Sequence, residues 1–344
     1  MRARATATAT QLVATLRANA GSFAAALAAA GLVAALTLVL SDYQQLQGAG
    51  VAWFFVAILG LNLLTGYTGQ ISLGHGAFML IGGYTTAILV AHPYFGHHWG
   101  ITETIPLAAL VSFGAGVLVG IPALRLSGVY LALATFSVAL VVWKLVEKFR
   151  HFTNGRQGIQ FTTFPTGHHL YVYTWTVAGI MFVLAWLILH GRIGRAFRAI
   201  RDSDVAAVSS GVNLSLYKIL AFGISAAFGG VAGSLFVYWS FGATPDQFTL
   251  LLSLRILIGA VLGGLGSLWG VGVGALIVYE LAPQGSLSSW IQNHVPNSTQ
   301  APTVFVGVVV ILVVVLLPFG FAGVLRRLVT PIANRFGAGR IGNA

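Results

Sequence analysis

Side chains able to do chemistry are scarce in this sequence: seven carboxylates, nine histidines and no cysteine stand among 344 residues. Asp42, Glu103, Asp246 and Glu280 fall at the ends of apolar runs, where charge costs little. No paired-carboxylate or His-Glu-x-x-His spacing is present, and no Gly-Lys pair occurs anywhere, so the usual nucleotide cradle is missing. Without cysteine there are no disulfides and no thiolate chemistry. The pairs His97-His98 and His168-His169 have the side chains to hold a metal, but both lie where exposed loops are expected. No constellation for a membrane enzyme remains.

Polar residues are instead concentrated in two places. The first runs from Asn62 to Phe78, where an apolar stretch turns polar and glycine-rich for about ten residues and then becomes apolar again through Met79–Val90. Backbone groups in lipid must be satisfied inside the protein, so such a break survives where backbone lines a water-filled cavity or substrate path, or where the chain turns at a membrane face. Asn62, Tyr67, Gln70, Ser72 and His75 are the candidate path residues; His75 either faces a cavity or satisfies backbone at the break. Arg255, within Leu254–Ile258, is the clearest ionisable group inside an apolar run. It either lines a path or snorkels to the interface.

The second polar place is Gly191–Lys218. Arg192, Arg195, Arg198 and Arg201 recur every three residues among Ile193, Phe197 and Ile200, which predicts an amphipathic helix with a basic face. Arg198 and Asp202 stand at i,i+4, a pairing worth a few tenths of a kcal/mol. Asp202-Ser203-Asp204 then offers acid and a capping hydroxyl ahead of Val205–Val208, the start of a second short helix that Gly211 can end. A topology anchor explains the arginines but not the two acids and the capped helix. A helix offered to a groove on another protein explains both.

The elements that hold these segments are membrane spans. With 7% charged and 57% apolar residues and a mean hydropathy of +0.87, the chain is a polytopic all-α membrane protein, with length for about ten helices. Hydropathy places them near 21–40, 50–65, 75–91, 104–124, 128–146, 171–190, 219–240, 249–263, 270–283 and 302–322. The first, preceded by Arg2, Arg4 and Arg17, is longer than a signal-peptide core and reads as an uncleaved helix. The division is a basic segment over 1–20, a transmembrane unit over 21–325 containing the 191–218 loop, and a basic tail over 326–344. The net charge of +11 records topology rather than nucleic-acid binding. Thirteen of the arginines and lysines fall on the side of both termini, which predicts N- and C-termini in the cytoplasm; Lys144, Lys148, Arg150 and Arg156 run against this locally. Gly116–Gly120 and Gly229–Gly233 have the small-xxx-small spacing of close helix packing. Ser72-Leu73 and Ser267-Leu268 both sit in glycine-rich breaks on one side, which is no inverted repeat.

Five motifs then resemble a known family in order. They are GYTGQISLGHGAFMLIGGY (Gly66–Tyr84), RLSGVYLALATFS (Arg125–Ser137), TNGRQGI (Thr153–Ile159), the long run Gly194–Phe236 and GGLGSLWG (Gly263–Gly270). The set resembles LivM-type permeases, the membrane subunits of branched-chain amino acid ABC importers, over about residues 50–322. The resemblance implies a type II importer fold, a second similar permease subunit, two cytoplasmic ATPase subunits that use ATP and Mg, and an external solute-binding protein. It implies a bacterial cytoplasmic (inner) membrane location, no nucleic-acid partner and no cofactor held by this chain. Residues 194–218 then look like the segment that enters an ATPase cleft, with Arg198, Arg201, Asp202, Asp204 and Gly211 as its coupling residues. Arg255 stands where relatives carry an acidic or apolar residue, and Val271 where they carry proline. Relatives with this layout also serve urea, short amides and other small organic solutes. The reading from another class, an ion-gradient-driven transporter or channel, needs intramembrane acids that are few here.

Overall fold

The structure, a computed structural model, describes residues 31, 33–92, 99–161, 165–282, 285, 307 and 308. The 1–20 segment, the first part of the 21–40 span, nearly all of the 302–322 span, the 326–344 tail and His97-His98 lie outside them. Among the described residues, six helices are long and apolar enough to cross a membrane, and two shorter apolar helices accompany them.

The first is α1, Asp42–Leu61, continued by a π-helical turn over Asn62–Gly66. It begins eight residues before the hydropathy limit of 50, because a capping box outweighs the polar run that follows. Gln44 N–H donates to the Ser41 hydroxyl (3.4 Å), and Ser41 N–H donates to the Gln44 side chain (3.0 Å). There follow α2 (His75–Ala91), α3 (Ile101–Ala123), α4 (Gly128–Lys148) and the single turn α5 (Arg150–Thr153). After β1 (Ile159–Gln160) come α6 (Gly167–His190), α7 (Arg192–Asp202), α8 (Asp204–Ser209) and α9 (Leu214–Trp239). The described chain closes with β2 (Gly242–Ala243), α10 (Leu250–Gly263) and α11 (Gly270–Leu281). The hydropathy reading missed the early starts of α6 and α9 for the same reason as that of α1. Side chains of Thr166 and Asn213 cap those helices, drawing polar residues into the first turn.

Burial separates a centre from a rim. The apolar windows of α1 and α9 are each 83% buried, whereas those of α3, α4 and α6 are 22–28% buried. The rim helices therefore turn most of their apolar surface outward, as lipid requires. Glycine makes the centre possible. Gly229 lies on Phe78 and His75, and a Cβ at Gly233 would overlap the Met79 carbonyl of α2. On the other side Gly116 of α3 meets Phe222 and Ala226 of α9. Both small-xxx-small pairs are thus helix crossings, with hydroxyls sealing them: Thr86 donates to Ser234 at 2.7 Å, and Ser112 to the Phe78 carbonyl at 3.2 Å.

The chain ends of the helices gather into two faces. On one, β1 pairs antiparallel with β2, Ile159 opposite Ala243 and Gln160 opposite Gly242. There the indoles of Trp175 and Trp239 donate to the carbonyls of Gly48 and Leu46. On the opposite face lie the π-turn of α1, the α10–α11 turn and the arginine-rich helix α7; we call it the basic face. Here Asn62, 1% exposed, uses its whole amide: it donates to the Ser267 carbonyl (3.0 Å) and accepts from Gly266 N–H (2.8 Å).

Two stability outcomes follow. Replacing Gly233 by Leu forces α2 and α9 apart and is expected to cost about 1–3 kcal/mol or more, whereas Gly179→Ala, with nothing within 4 Å of the added carbon, is neutral or raises stability by up to about 1 kcal/mol. Asn62→Leu removes the partner of the part-buried Gly266 N–H and Ser267 C=O and is expected to cost about 0.5–1.5 kcal/mol for each bond lost. Thermal unfolding of the detergent-solubilised protein measures all three variants; equal melting of Asn62→Leu and parent would show the amide contacts to be idle.

Candidate functional site

The polar break Tyr67–Gly74 folds onto itself and onto its neighbours. The Thr65 hydroxyl donates to the Gln70 carbonyl (3.1 Å), Thr68 to the Leu64 carbonyl (2.6 Å) and the Gln70 amide to the Thr68 hydroxyl (2.8 Å). Gly74 N–H donates to Ser72 (3.3 Å), Leu73 N–H to Thr135 of α4 (3.0 Å) and Gly76 N–H to Ser253 of α10 (2.9 Å). Gly69, at φ 73°, makes the turn that lets this happen without strain. Asn62, Tyr67, Gln70, Ser72 and His75 are all buried, with their hydrogen bonds inside the protein in this conformation.

The arginine-rich segment crosses this break. Gly191 precedes α7, and Gly194 lets it turn back tightly on the end of α6, where a Cβ would overlap Leu189 backbone. Gly194, Ala196, Phe197 and Ile200 face the bundle, while Arg192, Arg195, Arg198 and Arg201 are exposed. Arg201 differs from the other three in direction. Its Nη1 donates to the carbonyl of Gly66, the last residue of the π-turn. Gly69 lies 3.7 Å, measured at a built Cβ, from the Arg201 Cγ, and a Cβ at Gly266 would sit 2.5 Å from Nη1. The guanidinium therefore fills a slot walled by glycine turns from two different breaks in the chain.

Tyr67 completes the contact. Its hydroxyl is hydrogen-bonded to the Leu268 backbone, next to the Ser267 carbonyl that Asn62 holds. Burial pushes the phenol up to about 12, against the pull of the Arg198 and Arg201 charges, so it stays neutral at ordinary pH. The structure thus joins Asn62, Tyr67 and Arg201 in one junction of the π-turn, the 264–269 turn and α7. His75 lies apart from it, packed against Gly60 and Gly229 and hydrogen-bonded to the Ala57 backbone, with Nε2 unpartnered. Arg255 is also apart, in the second turn of α10, half-buried and without an ion pair among the described residues.

Beyond α7 the chain follows the capping pattern. The Ser203 hydroxyl accepts from Ala206 N–H (3.3 Å) at the start of α8. Gly211, at φ 81°, ends it, with Gly211 N–H donating to Val208 and Val212 N–H to Ala207. The expected Arg198–Asp202 pair does not form among the described residues. Asp202 closes α7 and Ser203 turns extended (φ −167°), and the acid that pairs is Asp204, with Lys218 of α9 at 2.6 Å. Val205 and Val208 project 78% and 55% exposed from α8. Sequence reasoning missed Gly266, Leu268, Thr135 and Ser253 as partners of the break. The signal available for the first two was the glycine-rich 263–270 run, which needs backbone partners as much as the break itself does. Lone hydroxyls in apolar helices gave none.

The chain matches the family described as branched-chain amino acid transport system / permease component over residues 49–316. It is 33% identical over 256 residues to the high-affinity branched-chain amino acid transport system permease protein LivM of Salmonella typhimurium, covering 65% of this chain and 59% of that protein. It is 26% identical over 299 residues to the corresponding protein LivH of Escherichia coli, covering 80% and 92%. It is also 26% identical over 226 residues to the galactofuranose transporter permease protein YtfT of Escherichia coli, covering 62% of each. The chain therefore spans a little over half the length of the LivM relative. No solved structure matches it. A family match that takes in the π-turn, the polar break, α7 and the 264–269 turn alike places this multi-pass membrane chain in the branched-chain amino acid transport permease family.

Proposed function

We propose that this chain is the membrane-spanning permease subunit of an ATP-driven importer in a bacterial inner membrane. Its solute is a branched-chain amino acid or a related small polar molecule, handed over by an external binding protein. The basic face is cytoplasmic, α7 and α8 dock one of two ATPase subunits that use ATP and Mg, and a second, similar permease lies alongside. The observation that carries this is the combination of family membership with the build of Gly191–Asn213. There α7 buries one apolar side on the bundle, while α8 offers Val205 and Val208 outward beside Asp202 and Asp204. Exposed apolar side chains at the centre of a charged rim are the composition of a protein-binding surface. The solute class rests on the names of the LivM and LivH relatives, and the galactofuranose relative widens it to other small polar solutes.

The sequence of events is a two-state one. ATP binding biases the ATPase pair, α8 moves with the groove that holds it, and the spans exchange outward-open and inward-open arrangements. Val208→Asp puts a charge into that contact and is expected to lower co-purification of the ATPases and leucine uptake by about tenfold, since an apolar anchor at such a site is worth 1–2 kcal/mol or more. Gly211→Pro, at a residue whose φ of 81° proline cannot adopt, removes the stop of α8 and is expected to abolish uptake with the protein still inserted. Unchanged leucine uptake and ATPase recovery in both variants would remove the docking assignment.

A further inference from the structure

We infer that Arg201 is a positioning residue that ties the ATPase-docking segment to the π-turn Asn62–Gly66, so that α7 moves as one body with the π-turn and the 264–269 turn, against the α3–α4 turn. This rests on the docking role just proposed and adds the path by which the motion enters the membrane.

Three observations support it. First, among the four arginines of α7, all of them exposed, Arg201 is the one that bonds the bundle, through the Gly66 carbonyl. A π-turn leaves its last carbonyls without regular helical donors, so this carbonyl needs an outside partner. Second, the slot is made for the guanidinium. Gly69 and Gly266 both take positive φ, 73° and 81°, and at Gly266 a side-chain carbon would push Nη1 away. Third, the slot connects to α1 and to the α10–α11 turn. Asn62 locks the π-turn to Gly266 and Ser267, and Gly66 is continuous with the 83% buried α1.

By contrast, the α3–α4 turn lies outside this bonding set. Arg125 and Leu126 are partly or largely exposed there, and Gly128 has nothing within 4 Å of a built Cβ. A displacement of α7 thus reaches α1 and the 264–269 turn directly. The π-turn is closed by a shared bond, in which Tyr67 N–H donates to both the Asn62 and the Leu64 carbonyls.

The chain has no cysteine, so pairs of spin labels can be placed without removing any. In the complex purified from the native membrane, labels at Leu265, which is 39% exposed in the 264–269 turn, and Val205 report the proposed body, and labels at Leu265 and Leu126 report its movement against the α3–α4 turn. The expected result with ATP is an unchanged 265–205 distance and a shifted 265–126 distance. Arg201→Gln should abolish the 265–126 shift while ATP hydrolysis stays within about twofold and leucine uptake falls about tenfold, the range of an ordinary coupling loss. Gly266→Ala keeps Arg201 but displaces its guanidinium, and should uncouple in the same way, with the double variant no worse than either single one. It also stands in should Arg201→Gln fail to assemble. A 265–126 shift that survives in either variant overturns the inference. If no ATPase accompanies the parent chain, the importer reading fails first, and this path fails with it.

Discussion

A peptide group without a hydrogen-bond partner has no place in hydrocarbon, and the irregular parts of this protein are arranged around that constraint. Two of its helical pairs are interrupted on the same face, at 66–74 and 264–269, and each interruption frees backbone groups. The fold answers by setting one interruption against the other. A single amide, that of Asn62, serves a carbonyl and an N–H of the second turn, and the Tyr67 hydroxyl meets its Leu268 backbone. Remove the amide and both interruptions lose their partner at once.

That arrangement explains why the charged segment sits where it does. An arginine brings five donors in a planar fork and a weakly hydrated charge, so it can reach a backbone carbonyl while staying partly in water. Arg201 does this, bonding Gly66 although it is exposed, as Arg192, Arg195 and Arg198 are. One helix thereby carries two kinds of surface: an apolar and arginine-anchored underside, and an outer side continuing into Val205 and Val208. The same segment is held by the bundle on one side and keeps its other side exposed.

Glycine has an equally physical part in the centre. Between α2 and α9 the contacts are backbone on backbone, at Gly82 with Gly230 and at Gly233 with Met79. Lipid gives no hydrophobic drive between helices, so close van der Waals contact and a few hydroxyl bonds must supply the attraction. Such a surface is smooth. Helices that touch through glycines, as α2 and α9 do, can slide or tilt with little side-chain interdigitation to undo.

Much was legible in the sequence because it depends on local rules. Hydropathy alone located the spans that became α1–α4, α6 and α9–α11, since burial in lipid demands long apolar runs whatever they pack against. Arginine spacing gave α7, and Ser203 and Gly211 gave the ends of α8, because capping acts within four residues. Ser41, Thr166 and Asn213 could have corrected the three early helix starts by the same logic. What only the tertiary structure decided is partnership across the chain: Asn62 with Ser267, 205 residues away, and Arg201 with Gly66, 135 away. Nothing local distinguishes Arg201 from the three arginines before it. Which one turns inward depends on the rotation at which α7 meets the bundle, and that is set by the packing of Phe197 and Ile200 against helices that the segment itself does not encode.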